Sequence, residues 1–142
     1  MYDIHIEDFY KDCARILLHL YQSFPRKSAV FVEDIAGPDT PDEYGIHSNR
    51  FQACFGAMIW LESEGYLISE ALIRQEAIDQ ACLTSLGLRL LNQISDEKNI
   101  VLPEGAPTQV PNVEVLRYTM KKSTSTQLTS LMIQLLSEHK AR

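Results

Sequence analysis

The sequence predicts a mainly α-helical protein with one small β-hairpin. Three segments, residues 6–24, 48–64 and 126–139, repeat apolar residues at spacings of three and four, as one buried face of an α-helix requires. Two shorter runs of strand-tolerant residues, 66–74 and 77–83, follow the second of these segments and are close enough to pair. At 142 residues, the chain has the length of one domain with a terminal appendage.

The first helix is predicted over residues 6–24. Its apolar residues occupy one face, while charged and polar residues occupy the other. Pro25 ends this helix, because its ring disfavours the helical conformation at the residue before it. The residues predicted on the buried face are Phe9, Cys13, Ile16, Leu17, Leu20 and Phe24.

A short strand, a short helix and a long loop are predicted next. Residues 28–32 are β-prone, and residues 32–36 predict a helix that Gly37 closes. Residues 37–45 contain two prolines and two glycines, a composition that predicts a loop.

The second long helix is predicted to begin at Ser48 and to end at Gly65. A serine hydroxyl caps helix starts, and glycine tolerates the left-handed conformation just past a helix end. The apolar residues surround most of this helix, which predicts burial on more than one side. They are Phe51, Phe55, Met58, Ile59, Trp60 and Leu61.

The predicted hairpin joins residues 66–74 and 77–83 through Gln75 and Glu76, and a short helix follows it. Thr84 is the predicted cap of that helix. Gly87 inside it costs about 1 kcal/mol relative to alanine, so we expect a close helix contact at that point. Its apolar face is formed by Leu86, Leu90, Leu91 and Ile94.

This order of a helix, a hairpin and a second helix resembles the core of a winged helix domain. Residues 61–67 (LESEGYL) and 83–91 (LTSLGLRLL) are similar to phrases in bacterial winged helix regulators of the MarR and PadR kind. The resemblance covers residues 6–94. It implies a winged helix domain over residues 1–95, in which the hairpin is the wing and residues 32–36 form the small helix before the turn. The loop at 37–45 is longer than the tight turn of a simple helix-turn-helix.

The C-terminal part predicts a linker and a helical segment. Residues 96–112 contain three prolines and a glycine and predict a linker, and residues 113–142 predict the helical segment. Residues 113–120 fit either a helix or a strand, whereas residues 126–139 are amphipathic. The apolar stripe of that last helix is Leu128, Leu131, Met132, Leu135 and Leu136. It either folds back on its own domain or pairs with a second copy, and the resemblance implies a homodimer.

Charge argues against a strong nucleic-acid interface. Residues 29–80 contain ten acidic and two basic residues, a net charge of −8, whereas DNA affinity comes largely from lysine and arginine that neutralise phosphates. If the protein binds DNA, side chains near the start of the second long helix would read base edges, and Arg74 would approach from the hairpin. The candidates on that helix are Ser48, Asn49, Arg50 and Gln52. The alternative role for Arg50 is an ion pair with nearby carboxylates.

The leading functional hypothesis is a non-enzymatic winged helix module that acts through protein contacts, as a regulatory or assembly subunit. Its acidic surface favours a basic protein partner. The alternative is a dimeric DNA-binding transcriptional regulator of the MarR or PadR type. The candidate protein-interface residues are Trp60, Leu128, Leu131, Met132 and Leu135; for Trp60, packing in the core is the other interpretation.

No motif predicts catalysis, a metal or a cofactor. The four histidines are dispersed, and neither a phosphate-binding loop nor a nucleophile elbow occurs. Cys13, Cys54 and Cys82 lie far apart in apolar phases of their segments, as free thiols in a reducing compartment do. With an acidic N-terminal segment and no apolar run long enough to cross a bilayer, we expect a cytoplasmic protein.

Overall fold

The computed structural model describes residues 2–95 and 109–140, the last three by their backbone alone. The chain is mainly helical with a small antiparallel sheet, which confirms the broad fold class predicted from the sequence. The helices are α1 Ile4–Ser23, α2 Val32–Ala36, α3 Asn49–Ser63, α4 Ser85–Asn92, α5 Asn112–Lys122 and α6 Ser125–Lys140, and the strands are β1 Ser28–Phe31, β2 Leu67–Ile68, β3 Ala71–Ile73 and β4 Ala77–Leu83.

Helix α1 lies at the centre of the fold. Its predicted stripe is buried from Cys13 through Leu20, and the helix packs against α3, α6 and the sheet. The helix ends at Ser23, just before Phe24 and Pro25, as the sequence predicts. Because the apolar face of a helix must be covered by other elements, α1 is the element against which α3, α6 and the sheet assemble.

Helix α3 has the predicted ends but not the predicted burial. The Ser48 hydroxyl accepts a hydrogen bond from the Phe51 amide at 3.2 Å, and Gly65 follows the helix with φ of +89°. The prediction that α3 is buried on more than one side is wrong, because its fully buried residues share one side, and Ile59 and Trp60 are more than one-third exposed. Helix α3 therefore carries apolar residues on two sides, but the described part of this chain buries only one of them.

Strand β4 forms the middle of the sheet, with β1 on one edge and β2 and β3 on the other. All pairs are antiparallel, so β3, its turn and β4 make the predicted hairpin. The first predicted strand is divided in two at Ser69 and Glu70, near a distortion of β4 where Gln80 has φ of +50°. The turn at residues 74–76 contains Arg74, also at positive φ, rather than only the two residues predicted.

Helix α4 begins at the predicted cap, since the Thr84 hydroxyl accepts a hydrogen bond from the Gly87 amide at 3.2 Å. A methyl group on Gly87 would lie 2.2 Å from the backbone oxygen of Tyr66. Gly87 therefore lies against the backbone just before β2, whereas we expected it to lie against another helix. Glycine is required here because two backbones approach closely.

The C-terminal helices share the core of the rest of the protein. Residues 96–108 of the predicted linker lie outside the described residues, but the backbone on both sides of them is joined: Ser95 donates to Val110 at 2.8 Å and Asn112 donates to Gln93 at 2.8 Å. Residues 112–122 are helical, which resolves the choice left open by the sequence. Helix α6 then folds back on α1, α4 and α5. Across the described part of the chain, no helix is both long and apolar enough to span a membrane.

Candidate functional site

Helix α3 exposes one continuous face without a single charged residue. We call it the open face; its members recur at spacings of three and four along the whole helix. They are Asn49, Gln52, Ala53, Gly56, Ile59, Trp60 and Ser63. Exposed helix faces of globular proteins are ordinarily rich in charge, so this face has the composition of a surface that contacts another molecule.

A groove lies between α3 and the tip of the hairpin. We call it the α3–hairpin groove; it encloses about 570 Å³. Ile46 and Phe55 supply apolar surface, while Phe51, which is 5% exposed, lies at the base of the groove. Gln52 and Gly56 connect the groove to the open face. The rest of the lining is Gly45, His47, Arg74, Gln75 and Glu76. Concave apolar surface next to a few polar groups is the usual form of a binding site.

Arg50 is paired with carboxylates of α1. Its two terminal nitrogens donate to the Asp12 carboxylate at 2.6 and 2.7 Å, and its Nε lies 3.7 Å from Asp8. The Asp12 side chain is only 1% exposed, so Arg50 neutralises a buried charge. The pair is bidentate, the geometry in which arginine binds carboxylates most strongly. The structure thus gives Arg50 the ion-pairing role that we considered as the alternative to DNA contact.

The other candidate DNA-binding residues divide into two groups. The Ser48 hydroxyl caps α3, while Asn49 and Gln52 lie on the open face. The Arg74 side chain is 86% exposed at the hairpin tip, with one terminal nitrogen 3.9 Å from Glu76. The structure therefore brings only Gln52 and Arg74 of the five candidates into the α3–hairpin groove.

His47 connects the long loop, α3 and the hairpin. Its ring stacks on Phe51 with centroids 3.8 Å apart, its Nδ1 lies 2.9 Å from the Asp39 carboxylate, and its Nε2 lies 3.8 Å from Glu76. The Ser48 amide also donates to Asp39 at 3.1 Å. Hydrogen bonds from Ser48 and His47 lower the pKa of Asp39. Sequence reasoning missed this cluster, because the loop composition does not indicate which of its carboxylates turns towards α3.

The five candidate interface residues have different surroundings. Trp60 is 36% exposed and packs edge to face on Phe9 of α1, with ring centroids 5.0 Å apart. The α6 residues are buried within the chain; they are Leu128, Leu131, Met132 and Leu135. Folding back, one of the two alternatives for this stripe, is what the structure shows, because α1, α4 and α5 cover it.

The cysteines have the surroundings of core residues. Cys13 and Cys54 are buried near Asp12, and desolvation raises the pKa of Cys54 to about 12 and that of Cys13 well above its ordinary value. Such thiols stay protonated and are poor nucleophiles. Cys82 is half-buried on β4. Within residues 2–95 and 109–140, no three histidine, cysteine or acidic side chains come together in a way that could hold a metal ion.

The surface that stands out is therefore the open face of α3 together with the α3–hairpin groove. Comparisons with protein-family models, with curated proteins and with solved structures found no match to this chain.

Proposed function

We propose that the chain is a winged helix module that acts without catalysis, through contact with another protein, as a regulatory or assembly subunit. The observation that carries this proposal is the orientation of α3: its one cation, Arg50, is paired with Asp12, and its open face carries no charge. An uncharged face with exposed apolar residues suits a protein better than it suits a phosphate backbone.

The order of the elements supports the winged helix part of the proposal. A small helix, α2, precedes the longer α3, a hairpin follows, and α4 packs behind it. This is the order that the resemblance in the sequence implies, with β3 and β4 as the wing. The long loop between α2 and α3 remains the departure from a tight helix-turn-helix.

The distribution of charge supports a protein partner over DNA. Arg50, one of the two cations in the acidic block of residues 29–80, is paired with carboxylates outside that block. Nearby cations are also paired: Lys27 with Glu70, and Arg15 with the Ile35 carbonyl at 3.0 Å. Because counterion release needs cations directed at phosphates, this surface favours a basic protein.

The DNA-binding regulator is the alternative that the first experiment separates. We would titrate a fluorescent random-sequence duplex with the protein at low salt and follow anisotropy. Non-specific binding by DNA-binding proteins has a Kd of about 10⁻⁴ to 10⁻⁶ M and strengthens as salt falls. We expect no binding at a protein concentration of tens of micromolar, on the scale of that range. Salt-sensitive binding that disappears in Arg74→Glu or Gln52→Ala would replace the proposal with the regulator.

The choice of variants matters, because Arg50 is a poor probe of DNA binding. Replacing it would leave the buried Asp12 carboxylate without its cation, so lost binding and lost folding would be confused. Gln52 and Arg74 are exposed, and their replacement leaves that buried pair intact.

A further inference from the structure

We infer that the α3–hairpin groove and the open face of α3 together dock a basic amphipathic helix of a partner protein, with an apolar residue of that helix anchored in the groove. This inference rests on the proposed function and adds to it the place of contact and the chemistry of the partner. Three observations indicate this partner: the shape of the site, the open space beside Gly56 and the surrounding charge.

The shape of the site suits one helix with an anchor residue. The open face runs from Asn49 to Ser63, which at 1.5 Å per residue is about 21 Å, the length of four helical turns. At one end the groove offers Ile46 and Phe55, and towards the other Ile59 and Trp60 are exposed. Protein interfaces concentrate binding energy in large apolar side chains that fill such pockets.

Gly56 marks a place where another molecule can come close to α3. A methyl group on Gly56 would meet no atom within 4 Å, so nothing in the described chain requires glycine there. Gly87 is the opposite case, since a methyl group there would collide with the Tyr66 backbone. Glycine inside a helix costs about 1 kcal/mol relative to alanine. A partner backbone lying across Gly56 accounts for a glycine that the fold itself does not need.

Charge selects a basic partner over a second copy of this chain. Arg74 and Glu76 both line the groove and lie 3.9 Å apart, so the excess negative charge beside it comes from Asp42 and Glu43, which are exposed in the loop just before lining residues 45–47. Two copies meeting through this face would bring two blocks of net charge −8 together, which opposes association. Lysine or arginine flanking an apolar anchor would instead meet these carboxylates.

The test uses the full chain and three synthetic 18-residue peptides. One is an amphipathic helix of leucine and lysine, one replaces each lysine with glutamate, and one has the lysine sequence interrupted by prolines so that no helix forms. Binding is followed by amide chemical shifts and by peptide anisotropy. We expect the leucine–lysine helix to shift the amides of residues 52–59 and 74–76, and to bind at least about tenfold more tightly than the other two peptides, a difference of about 1.4 kcal/mol.

A matched pair of variants tests the location. Gly56→Trp puts a large side chain into open space, so the fold should survive while the groove is blocked. Gln22→Trp makes the same addition at an exposed residue of α1 that does not line this groove. We expect at least a tenfold loss of peptide affinity in the first variant and none in the second, with circular dichroism confirming that both are folded.

The outcomes separate this inference from the proposed function. If the leucine–lysine peptide binds elsewhere, or if Gly56→Trp leaves its affinity unchanged, the docking site is overturned. Equal binding of the glutamate peptide would overturn the basic partner. If a DNA duplex added in a parallel titration shifts the same amides, the proposed function fails together with the inference.

Discussion

Helices α3 and α6 both carry apolar stripes, but the chain covers them differently. On α6, the apolar stripe from Leu128 to Leu136 is buried against α1, α4 and α5. On α3, Cys54, Met58 and Leu61 face the core while Ile59 and Trp60 remain exposed. Periodicity therefore identifies an apolar face that is stabilised by burial, whereas only the assembled fold shows whether the same chain buries it.

Polar contacts show how firmly α6 belongs to the fold. The Tyr66 hydroxyl, buried at the start of the hairpin, donates to the Leu136 carbonyl at 2.9 Å. The Thr126 hydroxyl donates to the Glu7 carboxylate at 2.8 Å. A buried hydroxyl that loses its acceptor is costly, so the bond from Tyr66 fixes α6 in addition to its apolar packing, whereas the bond from Thr126 is exposed and contributes less. Within residues 2–95 and 109–140, the open face of α3 makes no such hydrogen bond to another helix, and Trp60 contacts α1 through the ring of Phe9.

The largest effect should come from the inner side of α3. Arg50→Met leaves the buried Asp12 carboxylate without its cation and should lower the free energy of unfolding by about 3 kcal/mol or more. The double variant Arg50→Met, Asp12→Leu should recover most of that loss, because no buried charge remains. Urea denaturation measures both. A single variant as stable as the parent would show that the pair does not join α3 to α1.

The next largest effect should be a difference in stability loss between substitutions on the apolar residues of α6 and of α3. Met132→Ala on α6 removes a fully buried side chain and should cost at least about 2 kcal/mol. Ile59→Ala on the open face should cost less, about 1 kcal/mol, because the residue is already 38% exposed and alanine is the better helix former. The measurement is again the urea midpoint. Equal losses would mean that the open face is covered in the free protein, as the stripe of α6 is.

Alanine substitutions at the two helical glycines should have smaller effects on stability, and the two effects should have opposite signs. Gly87→Ala forces a methyl group against the Tyr66 oxygen and should destabilise by about 1 to 3 kcal/mol. Gly56→Ala meets open space and should stabilise α3 by up to about 1 kcal/mol. Thermal melts of the two variants, measured side by side, test this prediction. A stability loss in Gly56→Ala would indicate an internal contact at the open face.

Sequence reasoning predicted the elements well because their signals are local. Ser48 and Thr84 cap their helices as expected, and Gly65 and Pro25 stand just past helix ends. These residues act through backbone geometry within a turn of their own position, so a single sequence is sufficient. The hairpin was placed correctly, while its interruption at Ser69 depends on the pairing partner and carried no sequence signal.

The site was less predictable, because it depends on distant residues. Arg50 was a candidate for DNA contact until Asp12, 38 residues earlier in the chain, was found opposite it. Likewise, the exposure of Trp60 depends on what packs against α3, and the burial of Met132 depends on where α6 folds back. The net charge of residues 29–80, by contrast, follows from the sequence without knowledge of the fold.

The smallest effect should appear in acid, at the loop that borders the α3–hairpin groove. Hydrogen bonds from Ser48 and His47 lower the pKa of Asp39 below its ordinary value of 3.8. Its contribution to stability is therefore present above the unfolded pKa, near 3.8, and is lost as pH falls through the lower pKa of the folded state. Asp39→Asn should be less stable than the parent at pH 5, and the difference should shrink at pH 2.5.

Urea midpoints at the two pH values measure this change. If the Asp39→Asn difference is the same at both, the carboxylate does not hold the loop against the start of α3. The loop that borders the α3–hairpin groove would then be free to move. Both this loop and the open face of α3 would in that case differ from α6, which the rest of the chain holds in place.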